Sequence, residues 1–159
     1  MSSIRSAKGH QIKNVEIRKV TDLPPLILIL EKEAAAEGFR FLSRLVDEWE
    51  SGKNRFDAKG ECLMAAFLNG CLVGIGGLSR DPFAEGEVGR LRRLYVASAF
   101  RGQAIGKALV NHLVKHAAEQ FRVVRLLTDT SSGAEFYLRC GFQLTNDKHA
   151  TYIKFLEYA

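Results

Sequence analysis

The chain has 159 residues, of which 47% are hydrophobic, enough for one buried core and too few for two domains of ordinary size. Its longest apolar stretch is far shorter than the ~20 residues of a membrane span. The first eleven residues lack the apolar segment of a secretory signal, and three cysteines cannot close a disulfide framework. The sequence therefore predicts a cytoplasmic protein that does not enter a membrane, with a flexible tail over residues 1–12 and a single domain over residues 13–159.

The formal net charge of +5 is distributed unevenly along the chain. Five basic residues and no acidic residue lie between Val88 and Lys107. By contrast, the segment from Glu31 to Glu50 has six acidic residues against three basic ones, a local charge of −3. We therefore expect one basic and one acidic zone within the same small domain.

The first part of the chain predicts a strand followed by a helical region. The alternation from Val15 to Val20 is typical of a strand. Asp22 can cap a helix with two prolines in its first turn, and apolar residues continue at helical spacing as far as Trp49. Gly38 divides this region into two helices.

The remaining sequence predicts a mixed sheet. The runs CLMAAFL and CLVGIGGL flank Asn69 and Gly70, a two-residue turn that marks a β-hairpin. The later predicted elements are a strand over 88–96, a helix from about Gln103 to Gln120, a strand over 123–128, a short helix ending near Cys140 and a strand over 151–157. This order indicates a mixed α/β, or α+β, architecture.

The predicted strand VGRLRRLYV (88–96) contains an irregularity. If side chains alternate along this strand, Leu91 lies on one face, whereas Leu94 and Val96 lie on the other. The alternation of apolar residues therefore fails near Arg92 and Arg93. A β-bulge would explain the break and would leave backbone groups free for an extended, amide-rich ligand. An edge strand with different ends explains the pattern equally well.

The segment YVASAFRGQAIGKAL (95–109) predicts a phosphate site where a strand leads into a helix. The first turn of a helix offers about four unpaired N–H groups and a partial positive charge. Gly102 and Gly106 keep side chains away from a diphosphate, and Arg101 and Lys107 supply mobile positive charge. Turn formation and close helix packing remain alternative roles for the two glycines. The sequence contains neither a dinucleotide motif nor a Walker loop.

Two motifs suggest a family. Gln103-Ala104-Ile105-Gly106-Lys107-Ala108 fits the pattern [QR]-x-x-G-x-[GA], and GAEFYLRCGF (133–142) follows later in the chain. With these motifs, and with its order of elements from about Val15 to Glu157, the chain resembles the GNAT superfamily of acetyl-CoA-dependent N-acetyltransferases.

The resemblance implies a GNAT-like fold with six to seven strands, helices on both faces and a splayed opening between the fourth and fifth strands. Acetyl-CoA would bind in that opening. Its pantetheine would lie along Leu94, Tyr95 and Val96, and its diphosphate would bind at Arg101, Gly102 and the motif from Gln103 to Ala108. The Leu94 amide would donate to the thioester oxygen, where negative charge grows during the reaction.

Tyr137 occupies the position of the general acid in many members of this family, although a core tyrosine is the alternative. Many members have Glu or Asp on the fourth strand, where this chain has Arg90. Glu87 is a weak candidate for the base, and ordered water leading to Glu87, Asp129 or His149 could replace a dedicated carboxylate. Cys140 fits a buried structural thiol better than a nucleophile. His112 and His116 lack a third ligand, so no metal is predicted.

The acceptor is expected at the two helices and the loop after them. That region offers acidic, aromatic and polar side chains: Glu33, Glu37, Phe39, Trp49, Asn54, Arg55 and Phe56. Its net acidity favours a cationic amine, unless the carboxylates only form a solvated helix face. Arg90 could orient an acidic part of the substrate, and Asp129 and His149 lie on the acceptor side.

The predicted function is transfer of an acetyl group from acetyl-CoA to a primary amine of a small molecule or peptide, by a monomer or homodimer. Two other classes remain open. A CoA-binding sensor would retain the loop yet lack a working base. A nucleic-acid-binding module could use the basic zone, but the sequence has no aromatic RNA motif and no reading helix.

Overall fold

The computed structural model describes residues 15–157, and the predicted tail over residues 1–12 lies outside the described residues. The elements in chain order are β1 (Val15–Lys19), α1 (Ile27–Ala36), α2 (Phe41–Ser51), β2 (Cys62–Leu68), β3 (Cys71–Arg80), β4 (Val88–Val96), a 3₁₀ turn (Ser98–Phe100), α3 (Ile105–Ala117), β5 (Val123–Leu126), α4 (Ser131–Arg139), β6 (Gln143–Asp147) and β7 (Ala150–Phe155).

The strands form one seven-stranded sheet in the order β1-β2-β3-β4-β5-β7-β6. All neighbours are antiparallel except β4 and β5, which are parallel, so the predicted mixed architecture is confirmed. The sequence pattern did not predict β6. Its residues are exposed or half-buried along their whole length, so this edge strand lacks the apolar alternation by which strands are predicted.

Helices cover both faces of the sheet, as expected. Strand β2 contributes Leu63 and Ala65 to a cluster with α1 and α2, and Met64 and Ala66 to a cluster with α3. Because successive side chains of a strand point to opposite faces, the two clusters lie on opposite sides of the sheet. The continuous apolar run of β2 reflects burial on both faces.

Two predicted helix starts differ from the structure. Helix α1 begins at Ile27, whose amide bonds to the carbonyl of Pro24, so the prolines form a turn and Asp22 caps nothing. Helix α3 begins at Ile105 rather than at about Gln103, because Ala104 adopts a left-handed conformation. The division at Gly38 is confirmed, since its φ of +91° interrupts the helical backbone.

Strand β4 has the bulge that its broken alternation predicted. Arg92 pairs with Gly77 and Tyr95 pairs with Ile75, so two residues of β4 lie opposite the single residue Gly76. The first of these two residues, Arg93, has a φ of +60°. The edge-strand alternative is wrong, because β4 is hydrogen-bonded on both sides.

Candidate active site

Strands β4 and β5 separate beyond one pair of arginines. Their pairing ends at Arg90 opposite Arg125, whereas β4 continues to Val96. The buried carboxylate of Asp81 lies between these like charges, with its Oδ2 2.8 Å from Arg125 Nε and 3.4 Å from Arg90 Nη1. The predicted splayed opening is therefore present, and Asp81 holds together the two strands at its apex.

The ionisation of Asp81 depends on several opposing influences. Burial disfavours its charged form. Hydrogen bonds from Arg125 and from the Phe83 amide, together with the positive charges of Arg90 and Arg125, outweigh burial and lower the pKa of Asp81 below its usual value. The carboxylate is consequently ionised at neutral pH and neutralises the arginines at the apex.

The backbone of β4 turns polar groups toward the opening. The Ala97 amide donates to the Val73 carbonyl of β3 at 2.8 Å, so by alternation the polar groups of Val96 point away from β3. The Val96 carbonyl accepts a hydrogen bond from Arg101 Nε at 3.0 Å on that side. Leu94 lies two residues earlier, within the bulge, and lines the cavity described below.

The start of α3 presents a row of free amides. The first helical hydrogen bond runs from the Ala108 amide to the Ala104 carbonyl, at 3.0 Å. Within the described part of the chain, the amides of residues 102–107 donate to no acceptor. Gly102 and Ala104 have φ values of +81° and +65°, and successive amides in such a turn form a concave site for anions. Ala108 is the one residue of the predicted motif whose amide is already bonded.

A cavity of about 470 Å³ lies against this turn, and we call it the loop cavity. Three of its lining side chains are basic and none is acidic. It is lined by Leu94, Tyr95, Val96, Phe100, Arg101, Gly102, Ala104, Ile105, Gly106, Lys107, Phe136, Arg139 and Cys140. Most of the predicted donor-binding residues are therefore together, whereas Gln103, Ala108 and Tyr137 do not line this cavity.

The loop cavity has a cation that the sequence did not indicate. Arg139 lies on α4, distant in sequence from the glycine-marked loop, and only the fold brings it beside Lys107. Neither side chain forms an ion pair with a residue in the range 15–157. Their charges are therefore available to a ligand that has phosphate groups. Gln103, which does not line the cavity, has a buried Oε1 without a hydrogen-bond partner in this range.

Arg101 is held in place, which differs from the mobile charge that the sequence suggested. Its guanidinium contacts both carboxylate oxygens of Glu37, at 2.7 and 3.0 Å. The Tyr95 hydroxyl lies 2.5 Å from Glu33 and 2.6 Å from Glu37, and the Ser98 amide donates to Glu33 at 2.9 Å. The hydrogen bond from Arg101 and that from Tyr95 lower the pKa of Glu37. The two glutamates thus attach α1 to the loop that follows β4.

A second cavity of about 370 Å³ meets the first at Leu94, which lines both. We call it the arginine cleft, because four of its lining residues are arginines and none is acidic. It is lined by Phe41, Arg44, Phe83, Arg90, Leu91, Arg92, Arg93, Leu94, Leu126, Leu127, Thr128 and Tyr137. Of the residues that line this cleft, the sequence predicted only Arg90 as a contact of the acceptor. The others could not be grouped from the sequence, because the lining comes from five separate parts of the chain.

The sequence profile of the Acetyltransferase (GNAT) family matches residues 26–142. The chain belongs to the GNAT acetyltransferase family. No curated protein gave a sequence match. The predicted family is therefore confirmed. The matched residues include both motifs, the separated strands β4 and β5, and the lining of the two cavities.

Solved structures share the GNAT fold with this chain. An inferred acetyltransferase from Exiguobacterium sp. 255-15 superposes with a TM-score of 0.80 at 24% identity, covering 89% of this chain and 93% of the other. A GNAT-family acetyltransferase from Staphylococcus aureus Mu50 gives 0.68 at 20% identity, with coverages of 89% and 100%. The GNAT family N-acetyltransferase YhbS from Escherichia coli, solved in complex with CoA, gives 0.66 at 18% identity, with coverages of 89% and 81%.

In this GNAT protein, Tyr137 lines the arginine cleft from α4. Its ring packs edge-on against Phe136 and Phe142, with ring centroids 4.9 and 5.7 Å away. Burial raises the pKa of the Tyr137 phenol, and the nearby Cys140 adds to this effect. The hydroxyl therefore keeps its proton at neutral pH. Burial also raises the pKa of the Cys140 thiol, which makes it a poor nucleophile.

The structure places Glu87 away from both cavities. It is exposed immediately before β4 and pairs with Arg122 at 3.1 Å. Leu94 lies seven residues along the same strand, roughly 20 Å away at the usual rise of a strand. Glu87 is therefore too far from the Leu94 amide to accept a proton directly from an amine bound there.

Three further predicted residues lie next to residues of the arginine cleft without lining it themselves, whereas Trp49, Arg55 and Phe56 line a separate cavity. Asp129 is exposed, and its neighbour Thr130 provides the cap of α4 by accepting from the Gly133 amide at 3.0 Å. His149 stacks on Phe83, a wall of the cleft, with 3.9 Å between ring centroids. Phe39 packs against Phe41, another wall residue, at 5.7 Å.

Within residues 15–157, no helix is both long enough and apolar enough to cross a membrane. The same range contains no cluster of three or more histidine, cysteine, aspartate or glutamate side chains arranged to hold a metal ion.

Proposed function

We propose that this GNAT protein transfers an acetyl group from acetyl-CoA to an amine that attacks directly within a ternary complex. The observation that carries the proposal is the row of unbonded amides over residues 102–107, beside Lys107 and Arg139. Such donors at a helix start fit a diphosphate, and the two cations fit further phosphate charge. The relative YhbS was solved with CoA, which supports the same type of donor.

The pantetheine arm would run along β4, where the strand has separated from β5. The backbone groups of Val96 point away from β3 toward this space, and these groups, with those of Leu94, would pair with the amides of the arm as a neighbouring strand does. The arm would end at Leu94, where the loop cavity meets the arginine cleft. The Leu94 amide would then stabilise the negative charge that develops on the thioester oxygen.

Acetyl-CoA supplies an activated thioester, and Tyr137 would supply the proton that its leaving group needs. The amine nitrogen bonds to the acetyl carbon and loses a proton to water, the bond between carbon and sulfur breaks, and the Tyr137 hydroxyl protonates the departing sulfur. The phenol then regains a proton from water. A phenol carries its proton at neutral pH and can donate it to a thiolate that forms within hydrogen-bond reach. Tyr137 lines the cleft from which the amine would approach.

No described carboxylate lines either cavity, so the amine would lose its proton to water. The arginines of the cleft favour this step because positive charges near an ammonium group lower its pKa and increase the fraction of free amine. His149, stacked on the cleft wall at Phe83, would receive the proton through water. A dedicated base on β4 is therefore unnecessary.

The first test is release of the CoA thiol by purified protein with acetyl-CoA and a panel of small amines and peptides. Tyr137→Phe is expected to lower kcat by about 10²- to 10⁴-fold while leaving the Kd for acetyl-CoA unchanged. Tyr152→Phe is the matched control, because Tyr152 is also a buried tyrosine of the same cluster and does not line the cleft.

Two results would count against this proposal. An unchanged kcat in Tyr137→Phe would remove Tyr137 from the acid role. Stoichiometric CoA binding without thiol release for any amine would identify the protein as a CoA sensor instead.

A further inference from the structure

We infer that the acceptor is an amine that also has an oxyanion, a carboxylate or a phosphate, which Arg92 and Arg44 bind in the arginine cleft. The inference rests on the proposed acetyl transfer and names the substrate class for it. It differs from the expectation of a cationic amine, which the acidic helical region suggested.

The four arginines of the cleft are only partly neutralised. Arg90 shares the carboxylate of Asp81, and Arg93 donates to Glu48 Oε1 at 3.1 Å. Among the described residues, no carboxylate lies within ion-pair distance of Arg44 or Arg92. The exposed Arg44 and the half-buried Arg92 therefore have no ion pair in a cleft that has no acidic lining residue.

The bulge of β4 is responsible for this concentration of charge. Regular alternation would point Arg92 and Arg93 to opposite faces of the sheet. The left-handed backbone at Arg93 interrupts the alternation, and both side chains line the cleft. A bulge often redirects side chains beside an active site.

Arg92 is positioned as a ligand of an anion rather than as a solvated surface residue. Its side chain is half-buried, and burial, together with the nearby charge of Arg93, lowers its pKa. A partly desolvated guanidinium without a counterion is unfavourable, and a carboxylate or phosphate can satisfy it with paired hydrogen bonds. Arg93 adds a buried Nε that has no partner in the described range.

The carboxylates expected to attract a cationic amine are engaged elsewhere. Glu33 and Glu37 bind Tyr95, Arg101 and the Ser98 amide, and neither lines the cleft. An amine with no anionic group would therefore meet only positive charge beside Tyr137. An oxyanion on the acceptor reverses that repulsion and places its amine near Leu94, which the cleft shares with the loop cavity.

The test compares amines that differ only in the oxyanion. Pairs of α-amino acids with their α-amides, and of β-alanine with β-alaninamide, report on a carboxylate. O-phosphoethanolamine against ethanolamine reports on a phosphate. Thiol release gives kcat/KM for each member, and we expect at least a tenfold preference for the anionic member of one type of pair.

Variants then assign the preference to the cleft. Arg92→Met is expected to reduce the ratio of the two kcat/KM values to below threefold, whereas Arg92→Lys should retain part of it. Arg18→Met is the control, because it removes one arginine charge from the exposed strand β1. Circular dichroism of each variant confirms that the fold is retained.

The inference is wrong if neutral or cationic amines are preferred in every pair, or if Arg92→Met leaves the ratio unchanged. Acetyl transfer itself stands in both cases. Absence of thiol release from every amine would overturn the proposed function and the inference with it.

Discussion

Replacement of Asp81 by asparagine tests the apex of the splayed strands. The substitution keeps the size of the side chain and removes its charge, which leaves Arg90 and Arg125 as adjacent positive charges. Among the described residues, only Arg125 of the two has a second acidic partner, Asp147, at 3.2 Å. We expect the folded state to lose stability because two nearly buried guanidinium groups lose their shared counterion.

The expected magnitude follows from the two distances at Asp81. At an effective dielectric constant of ~20, unit charges separated by 2.8 and 3.4 Å attract by about 6 and about 5 kcal/mol. Removal of the carboxylate from water offsets several kcal/mol of this attraction, and asparagine retains an acceptor oxygen. Breaking a buried pair usually costs about 3–5 kcal/mol, a large part of the ~5–15 kcal/mol that stabilises a domain.

Urea denaturation followed by the fluorescence of Trp49, the single tryptophan, measures this cost. The pKa of Asp81 is lowered in the folded protein, so its stabilisation is complete above the unfolded pKa of ~3.9 and is lost as the pH falls through the folded pKa. The free energy difference between wild type and variant should therefore be constant from pH 5 to 8 and should shrink below about pH 4.

Two further variants complete this experiment. Asp47→Asn, which removes an exposed carboxylate, is expected to change the free energy of unfolding by less than about 0.5 kcal/mol. Adding Arg125→Met to Asp81→Asn should recover part of the loss, because one orphaned charge is removed. A cost below about 1 kcal/mol for Asp81→Asn at pH 7 would refute the account of the apex.

Other features of the site lead to separate expectations. Gly76→Ala places a methyl group 2.8 Å from a leucine methyl, so urea denaturation should show a loss of about 1–3 kcal/mol; an unchanged stability would refute the packing argument. Lys107→Ala and Arg139→Ala should each weaken acetyl-CoA binding about tenfold by calorimetry, and an unchanged Kd would separate that residue from the phosphates. Iodoacetamide at pH 7 should alkylate the exposed Cys71 well before the buried Cys140, as mass spectrometry would show; equal rates would contradict the raised thiol pKa.

The features of the proposed donor site could be predicted because their signals are local. The motif from Gln103 to Ala108 is contiguous, and its free amides follow from the start of a helix. The failed alternation of apolar residues around Arg92 and Arg93 predicted a bulge, and this signal lies within a single strand. The hairpin at Asn69 and Gly70 likewise depends on a two-residue turn, and both residues adopt positive φ values.

The acceptor half could not be predicted, because its charges pair over long distances in sequence. Glu33 and Tyr95 are 62 residues apart, and Asp81 and Arg125 are 44 apart. In the sequence, the acidic zone from Glu31 to Glu50 appears free to attract a cationic amine. In the folded chain, part of it is bonded to basic and phenolic groups around the loop cavity.

The sequence by itself determined the family, the sheet with its bulge and a helix start with unbonded amides, since each depends on neighbouring residues. Only the tertiary structure decided which charges remain uncompensated. A carboxylate can neutralise an arginine only at short range, and the fold alone brings Asp81 to Arg90 and Glu48 to Arg93. It leaves Arg44 and Arg92 facing the cleft without a described acidic partner, and from them we infer an anionic acceptor.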